Sequence, residues 1–63
     1  MTKKELKNLA RQIAHYEHII QTTSDSNEKY NAEQMVMSLT NKVEDFDDMM
    51  RIDEMVLGFL EKN

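Results

Sequence analysis

The sequence predicts an all-α protein: an antiparallel helical hairpin that a third helical segment completes into a small three-helix bundle. Three observations predict it. Proline is absent and glycine occurs once, at Gly58, so the two strongest breakers of regular structure are nearly missing from 63 residues. Leu, Met, Glu, Lys, Gln and Arg, all good helix formers, fill much of the chain. Apolar residues recur at spacings of three and four, the period of a helix face.

The first helix is expected over residues 3–22. Thr2 and Glu5 form a capping-box pair, in which the threonine side chain accepts from the Glu5 amide and the glutamate reaches back to the Thr2 amide. Leu6, Leu9, Ile13, Tyr16 and Ile20 then make a heptad seam. Ala10 and Ala14 flank it and let another helix approach closely. Ile19 widens the stripe. The pattern ends in the turn-forming cluster Thr22-Thr23-Ser24-Asp25-Ser26-Asn27.

The second helix is expected over residues 27–43, with Asp25 and Glu28 as an acidic start. Its stripe is Ala32, Met35, Val36, Leu39, Val43 and Phe46. A connection this short makes the first two helices antiparallel neighbours.

Beyond Phe46 the apolar direction changes. At 100° per residue, most of Met49, Met50, Ile52, Met55, Val56, Leu57, Phe59 and Leu60 point about 120° away from the earlier stripe, far more than helical drift of about 20° per heptad produces. A break near Glu44-Asp45 explains the jump, with a third helix over residues 46–61 and the acids near its start favoured by the helix dipole. Ser38, Thr40 and Asn41 weaken the helix just before the break. The alternative is an unbroken second helix in a two-helix hairpin that dimerises into a four-helix bundle. Gly58 either marks fraying or admits another helix.

So short a chain buries a small fraction of its surface and has little stability to spare. With no cysteine, neither disulfides nor Cys-type zinc sites can supplement it, which leaves regular helix packing or self-association. No apolar run is long enough for a membrane span, and the start, Met-Thr-Lys-Lys-Glu-Leu, does not read as a secretory signal. A single helical domain in the cytoplasm is the expectation.

The net charge of −4 is uneven: residues 1–23 carry +2 and residues 24–63 carry −6. A basic helix packed against an acidic one accounts for this simply. Lys4, Lys7, Arg11, His15 and His18 form a basic stripe on the outer face of the first helix.

Catalytic and metal chemistry find little support. His15 and His18 share a helix face, but two histidines fall short of the three or four ligands of a zinc site. Glu44, Asp45, Asp47, Asp48, Asp53 and Glu54 lack the spacing and central glycine of a calcium loop. Ser24, Ser26 and Ser38 have no base and cleft around them, and one glycine cannot build a phosphate loop. The expectation is a non-enzyme without metal or cofactor.

The most informative stretch is residues 49–60, where eight of twelve residues are apolar and three are methionine, the adaptable residue of binding surfaces. Packing alone can account for it, as the core of a three-helix bundle. It also predicts a protein–protein interaction module, an adaptor or regulator that binds one target protein or self-associates as a homo-oligomer. The contact is assigned to Phe46, Met49, Met50, Ile52, Val56, Phe59 and Leu60, with Glu44, Asp45, Asp47 and Asp48 as an acidic rim. Two other readings follow from charge. The acidic half could act as an antitoxin-like inhibitor or nucleic-acid mimic in a basic cleft. The basic stripe could bind nucleic acid weakly, against the acidic balance of the whole chain.

Overall fold

The computed structural model describes residues 1–62 and contains three helices, α1 (Lys3–Thr22), α2 (Ser26–Thr40) and α3 (Phe46–Glu61), with no strand among the described residues. It is a small three-helix bundle. None of the helices is long and apolar enough to cross a membrane.

Each helix begins on a side-chain cap. At α1 both arms of the capping box form: Thr2 Oγ1 accepts from the Glu5 amide at 3.2 Å, and the Thr2 amide donates to Glu5 Oε1 at 2.9 Å. That backbone bond first, and the Thr2 side chain second, hold the Glu5 carboxyl below its ordinary value of 4.5. Asp25 starts α2 by accepting from the amides of Asn27 (2.9 Å) and Glu28 (3.4 Å), and Asp45 starts α3 by accepting from Asp48 at 3.3 Å. These bonds satisfy helix-end amides that have no partner within the helix.

The second helix is not continuous with the third, so the unbroken-helix alternative is not what forms. α2 ends at Thr40, three residues before the pattern predicts. Thr40 Oγ1 donates to the Met37 carbonyl at 3.0 Å, and the amides of Lys42 and Val43 donate to Leu39 (3.2 Å) and Thr40 (3.1 Å). Such three-residue bonds tighten and close a last turn. Val43 and Phe46, expected to end the α2 stripe, do not lie on it: Val43 packs against the core from the loop, and Phe46 opens α3 and is exposed.

α1 is the central element. It packs against both α2 and α3, which touch each other only marginally. α3 runs alongside α1 in the same direction. The Met1 ammonium lies 3.4 Å from Asp48 Oδ2 at one end, and the Arg11 guanidinium lies over the Phe59 ring, 5.7 Å from its centre, further along. The core is Leu6, Leu9, Ala10, Ile13 and Ala14 of α1, Leu39 of α2, and Ile52 and Val56 of α3. No polar side chain is buried among the described residues. With α2 and α3 splayed about α1, the molecule is flat, 35 × 24 × 15 Å.

Candidate functional site

α3 is two-sided. Its inner face places Ile52, fully buried, and Val56 in the core, with Met49, Met55, Phe59 and Leu60 half-buried beside them. Its outer face carries Phe46, Met50 and Leu57, which are 75%, 50% and 61% exposed. At 100° per residue these three fall within about 40° of one another, and their mean direction lies about 120° from that of Ile52 and Val56. This divides the stretch that looks apolar all round in sequence.

The seven residues assigned to a partner contact therefore separate. Phe46 and Met50 stand free on the surface. Met49, Phe59 and Leu60 lie at the margin between core and solvent. Ile52 and Val56 are a correction: they are interior residues of the chain itself, because α3 folds back onto Ala10 and Ala14, whose small side chains admit it. Leu57 belongs to the exposed stripe and was not in the assigned set. Its spacing to Phe46 and Met50, eleven and seven residues, was the signal that could have found it.

The acidic rim also divides. Asp45 caps α3, and Asp48 is half-buried and bonded to the N-terminal ammonium, so both are engaged in holding the fold. Glu44 and Asp47 are exposed. Helix geometry adds Asp53, Glu54 and Glu61, all exposed, on the solvent side of α3 beside Leu57. The outer stripe of α3 is thus an apolar line edged by carboxylates.

A different surface lies along the seam of α1 and α3. Lys4, Lys7, Arg11, His15 and His18 are all exposed. Arg11, His15 and His18 line one open groove with Ala14, Phe59 and Lys62, of about 370 Å³. Lys3 and Lys7 line its continuation with Met55, Gly58, Phe59 and Lys62, of about 340 Å³. Of the basic stripe read from α1, Lys7, Arg11, His15 and His18 form one bank of this groove together with Lys3, while Lys4 does not line it; α3 contributes an apolar floor and a further cation. Lys62 could not be assigned to it from sequence, because that requires knowing that α3 runs parallel to α1.

Among the described residues, no group of three His, Asp or Glu side chains is placed to hold a metal ion. Tyr30 and Met37 are exposed apolar residues on α2, seven residues apart and far from the α3 stripe in sequence. Compared with protein-family models, curated proteins and solved structures, the chain has no significant match.

Proposed function

We propose that this chain is a non-catalytic helical interaction module, an adaptor or regulator that binds a protein target through the outer face of α3. The observation that carries the reading is the alignment of Phe46, Met50 and Leu57 on one exposed line. A large aromatic and two long aliphatic side chains left in water on a single helix face lose the benefit of burial, which a partner restores. Flexible Met50 beside rigid Phe46 suits a helix-in-groove contact. The flanking carboxylates Asp47, Asp53, Glu54 and Glu61 define the partner's chemistry: an apolar cleft rimmed by Lys and Arg.

The test is selection of a displayed random-peptide library on the intact protein. The expected binders combine large apolar residues with flanking Lys and Arg, and lose affinity for a Phe46→Ser, Met50→Ser, Leu57→Ser variant that keeps its helical circular dichroism. A selection that returns no apolar binders with flanking Lys and Arg, or such binders that recognise this variant as well as the parent chain, would contradict the reading.

The exposed carboxylates favour a second reading, an acidic inhibitor that occupies a basic cleft by charge. The two readings differ in salt dependence. Binding through the apolar line survives half-molar salt, whereas binding through the carboxylates is screened away.

A further inference from the structure

We infer a second docking surface, the α1–α3 groove, which binds an acidic amphipathic helix of a different protein. Three features converge there. The first is charge. In a chain of net charge −4, Lys3, Lys7, Arg11 and Lys62, together with His15 and His18, line two adjoining hollows that share Phe59 and Lys62. Arg51 falls on the same side of α3, since residues 51, 55, 58 and 62 share a helical stripe. The second is the floor. Ala14, Met55 and Phe59 are apolar and lie between the cations, so the groove suits side chains that are apolar in the middle and acidic at the edges. Lys3 to His18 spans about 22 Å of α1, the length of a four-turn helix.

The third is Gly58. A glycine inside a helix lowers that helix's stability, so its presence calls for a reason. The chain itself supplies none. Gly58 does not have a positive φ, and no other part of the chain comes within 4 Å of where a β-carbon would sit. Its missing side chain leaves open space in the floor of the basic groove, where an incoming helix backbone gains close approach.

A second copy fits this groove less well than a foreign helix. The apolar line of α3 points about 130° away from the groove stripe, so copies joined this way would make a head-to-tail contact, and their net charges repel. Of the carboxylates of α3, Asp47 and Glu54 stand on the side of Arg51 and Gly58, so the basic bank is that of α1. Nucleic acid fits less well again, because the floor offers apolar contacts where a phosphate backbone needs donors.

The test is fluorescence anisotropy with a labelled three-heptad helical peptide, Leu along one stripe with Glu at its flanks and Ala elsewhere. The comparison probes are the same peptide with Lys for Glu and a labelled single-stranded DNA. The acidic peptide should bind at low salt, and the basic peptide and the DNA at least about tenfold more weakly. Lys7→Glu with Arg11→Glu should reduce acidic-peptide binding about tenfold or more. Gly58→Gln is the sharper variant: it should raise the thermal midpoint by about 4 °C through helix propensity while weakening the acidic peptide about tenfold. The Phe46→Ser, Met50→Ser, Leu57→Ser variant should bind the peptide as the parent does, which separates this surface from the outer face of α3. The inference is overturned if the acidic peptide does not bind, if both peptides bind alike, if DNA binds more tightly, or if Gly58→Gln leaves affinity unchanged. A solution mass that grows with concentration and is reset by Lys7→Glu with Arg11→Glu would assign the groove to a second copy instead.

Discussion

Ile52 and Leu57 are five residues apart on one helix and of similar size, yet one is fully buried and the other is 61% exposed. Truncating them should therefore have very different consequences. Ile52→Ala opens a cavity between α1 and α3 and should cost about 3 kcal/mol, within the usual range of about 2–5 for buried aliphatics. At about 0.05–0.15 kcal/mol per residue, a chain of this size has roughly 3–9 kcal/mol of stability in all, so that variant should be largely unfolded on mild warming. Leu57→Ala removes no interior contact and should stay within about 0.5 kcal/mol of the parent. Urea titration followed by circular dichroism checks both, and equal losses would mean that Leu57 is covered. The apolar content of this stretch was legible in the sequence, but its division was not. Which of Ile52, Val56 and Leu57 turns inward depends on the rotation of α3 about its own axis, and Ala10 and Ala14 on a different helix set that rotation by admitting α3 on their side.

At the scale of the element, helix starts were more legible than helix ends. The starts are local chemistry: Thr2 with Glu5 and Asp25 with Glu28 announce themselves within four residues. Both arms of the Thr2–Glu5 box form, whereas at α2 Asp25 accepts from Asn27 and Glu28 but its own amide donates to Thr23 Oγ1 and Glu28 returns no bond. The break before α3 was also readable, without glycine or proline to mark it, because the apolar direction jumps at Phe46. The end of α2 was not. Val43 continues the apolar spacing whether it sits on a helix or in a loop packed on the core, and the Thr40 hydroxyl bond to Met37 that helps close the turn competes with further helix at little difference in energy.

The α1 start gives a pH prediction. Folding depresses the Glu5 carboxyl below 4.5, so its contribution is present above the unfolded value and is lost as pH falls through the folded one. Thr2→Ala keeps the backbone amide that is the larger cause and removes the side-chain one, so it should raise the Glu5 titration only part of the way toward its ordinary value while reducing amide protection in the first turn of α1. A carboxyl NMR titration of both proteins measures this, and an unchanged Glu5 midpoint with unchanged amide protection would show that the Thr2 side-chain arm of the box is not formed in solution.

For the molecule as a whole, the arrangement about α1 leaves much surface uncovered. The accessible area is 4787 Å², against about 4,250 Å² for a compact monomer of this mass. The excess follows from α2 and α3 each packing on α1 while barely meeting each other. The same arrangement separates the charges that sequence could only assign to halves of the chain. Cations of α1 meet Lys62 across one groove, and carboxylates of α3 edge the apolar line on its other side. The basic stripe on α1 was readable from helical spacing. Its partner residues on α3, and the open place left by Gly58, were not, because they depend on the parallel placement of two helices distant in sequence.

The inner face of α3 is the core of a single chain, and we propose that its outer face stays open for a different protein. Light scattering behind a sizing column, across a hundredfold range of concentration at low salt, tests this most directly. A constant mass near 7.5 kDa is expected. The carboxylates Asp53, Glu54 and Glu61 would face one another in a symmetric α3 pair and oppose it. A dimer of twice that mass that persists on dilution and is lost in the Phe46→Ser, Met50→Ser, Leu57→Ser variant would contradict this, since those residues would then be buried between two copies and no open face of α3 would remain.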